Sequence, residues 1–401
     1  MQAIGAVMIE GAKAVGKTVT ASQVAATVLR LDVDSAARAA LEVFPEQLFS
    51  LPTPILFDEW QETPEIWNLV RRSVDDHKGT GLYLLTGSAR PRDTARLHSG
   101  AGRIGRIRMR PMSLFESGHS TGEVSLAAVL RGEDPNGAPA PLSVPDLMGR
   151  LVIGGWPELT GRSEAEARLW LADYLKSLAE VDVPGAGPRR APLNIARLLA
   201  SLARIVGAPL IRRTLEADVG GADRPIASET LGNYLDALER LMLLEPLPAW
   251  QPHLRSRTRL RTTSVHHFVD PSIGLAAMAT NSKQLMTDLR TAGYHFESLV
   301  LRDLRVYAQT LSPTFSSWRD SRTGAEVDMI LETPDGNWAA FEVKLGEASV
   351  DAAAKALVNC ASKVDTKHHG EPMALVVITA GRFSYRRPDG VCVVPITALG
   401  P

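Results

Sequence analysis

Short apolar runs alternate with amphipathic stretches over residues 1–116. "IGAVMIEG" predicts a strand, "GKTVTASQVAATVLRL" a helix, "TPILFDEW" a strand, "PEIWNLVRRSVDD" a helix and "GLYLLTG" a strand. Such alternation predicts a parallel sheet with crossover helices. Residues 117–146 include "GEDPNGAPAPLSVPD", whose Pro and Gly read as a loop or linker. From about 147 to 250 the pattern is mainly helical. In "SETLGNYLDALERLMLLEPL", Ser228 reads as an N-cap, and Leu231, Leu235, Leu238, Leu241 and Met242 form one stripe that reads as core. Beyond about 285 the pattern is mixed: a helix near 294–309, a hairpin at 326–347, a helix near 349–362 and a strand at "MALVVIT". Three domains are expected, at 1–146, 147–284 and 285–401.

Composition narrows the classes. A length of 401 residues suits two or three domains, and 45% hydrophobic residues are ample for their cores. A formal net charge of −1 excludes a generally basic nucleic-acid coat, so any such contact needs a local patch. Cys360 and Cys392 cannot make a zinc site alone, and a disulfide framework is not expected, which fits a reducing cytoplasm. No uncharged run approaches the length of a membrane span, and the start lacks a secretory pattern. A cytoplasmic protein is expected.

Gly11-Ala-Lys-Ala-Val-Gly16-Lys17-Thr18 follows a predicted strand and opens a predicted helix. In that context G-x-x-x-x-G-K-[ST] is a phosphate-binding loop. Gly11, Ala14, Val15, Gly16, Lys17, Thr18 and Val19 are expected to surround the phosphates of ATP, through backbone N–H groups at a helix N-terminus. Lys17 would reach the β- and γ-phosphates, and Thr18 would bind Mg2+. "ILFDEW" ends an apolar run in Asp58-Glu59, where a parallel strand meets its loop and ligands bind. Asp58 would help hold Mg2+, and Glu59 would polarise the attacking water. "LLTGS" brings Thr86 and Ser88 to the next strand tip, where a polar group can sense the γ-phosphate. Among Arg103, Arg106, Arg108 and Arg110, Arg103 is the expected arginine finger, since Gly-rich sequence around it would allow close approach.

These segments, together with "GGWPEL", "HHFVDPSIG", "GYHFESLVLRDL", "WRDSRTGAEVDMIL" and "FEVKLG", come in the order seen in bacterial and archaeal AAA-type (AAA_14-like) P-loop ATPases with a C-terminal DUF4143 region, which this chain resembles over nearly its whole length. The resemblance implies an α/β multidomain protein. Its parts would be a P-loop parallel sheet with helices on both faces, a helical, winged-helix-like middle and a restriction-endonuclease-like C-terminal domain. Relatives usually carry more residues before the first strand, whereas this chain starts almost directly at it, which leaves open a start placed too late or a missing N-terminal segment.

The hairpin "EVDMILETPDGNWAAFEVKLGE" puts three charges where strands normally pack. Alternation places Glu326, Asp328 and Ile330 on one face, with Val327, Met329 and Leu331 on the other. Ala340, Glu342 and Lys344 share a face of the second strand. Asp328 and Glu342 would repel at short range unless a cation sits between them, and Mg2+ suits such oxygens. Lys344 would then act on a metal-bound water, as in phosphodiester cleavage. The spacing D-x(13)-E-x-K resembles the PD-(D/E)xK nuclease motif, in which Glu297 would be a further metal-binding acid. The alternative is an ion-paired strand face in an inactive, nuclease-like binding module. Arg255, Arg257, Arg259 and Arg261 would form a phosphate-facing stripe if their segment is a strand, making DNA the expected partner. A homo-oligomer or a protein partner stands open beside it. The pairs His266-His267 and His368-His369 read as surface or core histidines, because neighbours on a strand point apart.

Overall fold

The computed structural model describes residues 3–88, 100–137, 139–183, 191–221, 224–250, 264–320 and 323–401. It divides into two compact units, Met1–Arg110 with Asp236–Leu243, and Pro111–Leu235 with Leu244–Pro401. The arginine stripe at 255, 257, 259 and 261 lies outside the described residues.

The first unit is built on five strands: β1 (Ala6–Glu10), β2 (Thr27–Arg30), β3 (Ile55–Asp58), β4 (Tyr83–Gly87) and β5 (Ile104–Arg108). Their order is β2-β3-β4-β1-β5, and every pairing is parallel. The central strands are apolar without alternation, as a sheet covered on both faces requires. Ala6 and Met8 pack with Phe57 and Tyr83, while Val7 and Ile9 pack with Leu56, Leu84 and Ala21 of the opposite layer. The long helix expected after the loop is corrected. It stops after Lys17–Ser22, and Thr27–Arg30 forms edge strand β2. Thr, Val and Leu at 27–29 satisfy both helical and strand spacing, and pairing with β3 decides between them.

The second unit begins with β6 (Val124–Ser125) and the short helix Leu126–Leu130, inside the stretch expected to be loop. Helices follow at Val144–Ile153, Glu164–Ser177, Pro192–Arg204 and Arg212–Gly220. Ser228 is the first residue of the next helix rather than its cap, and its hydroxyl donates to Glu216 at 2.6 Å. Leu231, Leu235, Leu238, Leu241 and Met242 are buried. Strands β7 (Leu244–Leu247) and β8 (Val265–Phe268) pair antiparallel.

A mixed sheet completes this unit. Its strands are β9 (Thr314–Arg319), β10 (Glu326–Glu332), β11 (Trp338–Lys344), β12 (Leu375–Thr379), β13 (Tyr385–Arg386) and β14 (Cys392–Pro395), in the order β13-β14-β12-β11-β10-β9. The last strand, β15 (Leu399–Gly400), pairs parallel with β6. The helix Leu289–Tyr307 covers one face of the sheet, where Phe296, Leu299 and Leu304 meet Met329, Leu331 and Phe341. The helix Val350–Ser362 covers the other, where Ala353, Leu357 and Cys360 meet Val327, Ile330 and Ala340. Val327 is therefore on the same side as Ile330 and not with Met329 and Leu331. The reason is an irregularity in β10, whose register against β9 shifts between Val327 and Ile330.

A buried ionic network anchors the helix Leu289–Tyr307. The Arg302 guanidinium lies 2.6 Å from Asp270 and 2.7 Å from Asp303, all three essentially without solvent. Asp270 also accepts from Gly155 N at 2.9 Å and from Ser272 N and Oγ, and Asp303 accepts from Leu114 N at 3.0 Å. Trp156 is buried and donates to Ser272 Oγ at 3.0 Å. A Cβ on Gly155 would stand 2.0 Å from the Met112 carbonyl, so only glycine permits this approach. Nothing in the sequence singles out Arg302, because its two partners lie 32 residues away and next door. Among the described residues no helix is long and apolar enough to cross a membrane.

Candidate functional sites

In the first unit, β1 ends at Glu10 and the chain turns through residues 11–16 into the helix Lys17–Ser22. Two residues of this turn take left-handed backbone, Ala14 at φ 64° and Gly16 at φ 92°. Successive turns of this hand point backbone N–H groups into one concavity, the geometry that binds phosphate. Lys17 is 6% exposed, and its Nζ donates to Gly11 O at 3.0 Å and Ala12 O at 2.8 Å. Burial pulls its pKa down to about 8, against the opposing pull of Glu59 and Asp58.

Parallel pairing brings the ends of β3 and β4 to the same edge as this loop. Asp58 Oδ1 accepts from Thr18 Oγ1 at 2.8 Å and from Thr86 Oγ1 at 2.5 Å. The structure thus gathers Thr18, Asp58 and Thr86, a hydroxyl–carboxylate set whose hard oxygens fit Mg2+. Ser88 is buried just past β4, and Val19 is exposed on the first turn of the helix. Glu59 has left-handed backbone at φ 51°, uncommon for a residue with a side chain, and its carboxylate accepts from Gln61 Nε2.

Arg103 is not brought to the loop. The register sets Ile104 opposite Ala6, so Arg103 stands at the amino edge of the sheet, roughly 15 Å along the strands from the loop. Its guanidinium bonds Asp75 at 2.9 Å. Within its own unit it cannot act as a finger on phosphates held at the carboxyl edge.

In the second unit, Asp328 and Glu342 converge on Lys344. Lys344 Nζ is 2.5 Å from Glu342 and 3.4 Å from Asp328. Asp328 also accepts from Val343 N at 2.8 Å, so its carboxylate takes over a backbone donor of β11 where the β10 register is irregular. Burial pushes the Glu342 carboxyl up to about 8, with Asp328 adding and Lys344 opposing. Burial, then Asp328, also raises Glu297, which Lys344 and Glu342 affect in opposite directions. Burial works against the Lys344 ammonium, but Asp328 and Glu342 outweigh it and raise its pKa. All four residues therefore lie in mutual electrostatic reach. Among the described residues no three His, Cys, Asp or Glu side chains stand close enough to hold one ion together. The donor type still suits a hard dication, because all the donors are oxygens, and the Lys344 ammonium stands against two of the carboxyls, Asp328 and Glu342.

The remaining histidines differ from expectation in one respect. His267 is wholly buried, and burial, then Arg305, lowers its pKa to about 3. It belongs to the core, as expected, but its ring faces Glu297. His368 is exposed and bonds Asp365 at 2.6 Å.

Three family profiles match separate stretches of the chain: an AAA domain at residues 4–117, a domain of unknown function (DUF8612) at 144–284, and a domain of unknown function (DUF4143) at 292–399. The first is an AAA-type, P-loop ATPase-like domain. Uncharacterized proteins of Mycobacterium bovis and Mycobacterium tuberculosis are each 25% identical over 298 residues, 72% of this chain. The chain spans 58% of the length of these relatives. Among solved structures, the Walker-type ATPase of Pyrococcus abyssi is similar at 12% identity and a TM-score of 0.38, over 69% of this chain and 91% of that one. RuvB of Thermotoga maritima is similar at 16% identity and a TM-score of 0.27, over 61% and 83%.

Proposed function

We propose that the chain binds and hydrolyses ATP with Mg2+ at the loop of its first unit, and that this activity governs a Mg2+-dependent, nuclease-like module in the second unit acting on DNA. The proposed domains are 1–146, 147–284 and 285–401. The observation that carries the ATPase half is Asp58 accepting from Thr18, beside a buried Lys17. When bound, Mg2+ supplies charge neutralisation to the phosphates. Thr18 and Asp58 would hold it, Lys17 would bind the β- and γ-phosphates, and Glu59 would orient and deprotonate water.

The nuclease half is supported by the convergence of Asp328, Glu342 and Lys344 beside Glu297. Asp328 and Glu342 would hold the ion, Glu297 joining them as the cluster closes on it, and Lys344 would hold a proton donor or water against the phosphodiester. A second reading, a nuclease-like fold used only for binding, is favoured by the close Lys344–Glu342 contact, which already gives one carboxyl a partner in place of an ion. The deciding experiment is Mg2+-dependent cleavage of plasmid and linear DNA by the purified chain, with and without ATP. Asp328→Asn and Glu342→Gln should each weaken Mg2+ binding and abolish cleavage. Lys344→Ala should keep the ion and lose about 10²-fold or more in cleavage rate. Metal uptake without cleavage by the wild type would leave the binding-module reading standing.

The raised Glu342 pKa sets a pH dependence. In the folded, metal-free chain this carboxyl keeps its proton up to about pH 8, against an ordinary value of 4.5. The folded state then binds more protons than the unfolded chain, so stability from this group is full below pH 4.5 and is lost as pH rises through about 8. Bound Mg2+ stabilises the ionised form, so its effect should grow over the same window. Thermal melts should show a larger Mg2+-induced rise in Tm at pH 8 than at pH 5.5. An equal rise at both would mean that the ion binds elsewhere.

A further inference from the structure

His267 lies on β8, 1% exposed, against Glu297 of the helix Leu289–Tyr307. Its Nδ1 is 2.9 Å from Ser298 Oγ. The same oxygen lies 3.3 Å from the Tyr294 carbonyl, one turn back. Nε2 is buried without a hydrogen-bond partner and points at Glu297 Oε1, 3.6 Å away. The ring nitrogen and the carboxyl face each other across a gap too long for a hydrogen bond. Two donors on one first-row ion, each at about 2.1 Å, stand about 3.0–3.4 Å apart for octahedral to tetrahedral angles. The observed separation is only slightly larger. A hydrogen-bond partner on the far ring nitrogen, here Ser298 on Nδ1, is what orients a metal-binding imidazole. Arg305, whose charge also bears on the ring, is paired with Glu245.

We propose that His267 Nε2 and Glu297 supply the protein donors of a second cation position. It adjoins the Asp328–Glu342–Lys344 cluster and takes a borderline first-row ion such as Co2+, Fe2+ or Zn2+ in preference to Mg2+, with water completing the coordination. Imidazole nitrogen suits these ions, whereas Mg2+ keeps to oxygen. The inference rests on the reading of the neighbouring carboxylates as a cation site, with Glu297 shared between the two positions.

The full chain is titrated with Co2+ and with Mg2+ by calorimetry, and crystals of the wild type are grown with Co2+. Co2+ should bind at least about tenfold more tightly than Mg2+. His267→Asn keeps an amide donor for Ser298 but has no atom at Nε2. It should weaken Co2+ binding by about 10–100-fold and change Mg2+ affinity less than about twofold. If the Asn variant does not fold, anomalous density for cobalt about 2.1 Å from His267 Nε2 in the wild type supports the same assignment. Cobalt bound at Asp328 and Glu342 alone, or an unchanged Co2+ preference in folded His267→Asn, overturns the inference and spares the cation reading of the cluster. No binding of either ion removes both.

Discussion

Lys17→Ala should leave a folded protein with no measurable tight ATP binding and with turnover reduced by about 10²–10³-fold or more. The Lys17 ammonium stands in the loop, bonded to the Gly11 and Ala12 carbonyls, and no other described side chain bonds both. Removing it also relieves the cost of a buried charge, so the variant should be no less stable than the wild type. That separates the effect from unfolding. Glu59→Gln should differ: it keeps ATP binding and loses hydrolysis, since shape is preserved and the base is gone. The lysine also sets a pH limit. Its pKa of about 8 in the nucleotide-free chain means that phosphates, which favour the charged form, bind with full affinity below that pH. Affinity should fall as pH rises above about 8. Equilibrium binding of a fluorescent ATP analogue from pH 6.5 to 9.5 measures both effects. Equal affinity in Lys17→Ala and wild type would end the ATPase assignment.

Arg302→Met should cost about 3–5 kcal/mol of stability in the second unit. The arginine is the shared partner of Asp270 and Asp303, and all three are cut off from water. Methionine fills much of the volume but leaves two buried carboxylates facing each other. They retain donors from Gly155, Ser272 and Leu114, which holds the loss below that of two naked charges. Urea melts followed by tryptophan fluorescence should show the midpoint falling, and melts of the variant at pH 5 should recover part of the loss as Asp303, whose pKa burial already raises, takes up a proton. A loss under about 1 kcal/mol would mean that the network relaxes by admitting water.

The sequence exposed the parts of the protein that depend on local pattern. The phosphate loop is one, because a glycine turn between a buried strand and a helix is written in consecutive residues. Asp58 is another, since an apolar run must end where its strand does. The β10–β11 hairpin and the helices flanking its sheet are legible for the same reason. What stayed hidden depends on register and on distant partners. Val327 changes side because of an irregularity against β9, which no count along β10 alone can show. Arg103 looked poised for catalysis by its glycine neighbours, yet the strand it precedes begins at the wrong end of the sheet. His267 looked like one half of an inert pair. Only the helix carrying Glu297 and Ser298 gives its ring a direction.

The pairing of β15 with β6 bears on how the second unit is made. Thr121 N donates to Thr397 O at 3.0 Å, Ser120 Oγ to Leu399 O at 2.7 Å, and Val124 lies opposite Leu399. These contacts join residues as much as 279 positions apart in the chain. During synthesis the segment around Val124 must wait, with Leu126, Val129 and Leu130 lacking part of their cover, until residues near 399 leave the ribosome. At about 5–20 residues per second that interval is on the order of tens of seconds. The first unit's parallel sheet, complete by Arg108, can close long before then. The two units therefore mature on different clocks, and the late-closing one is where a chaperone or protease would find the chain open.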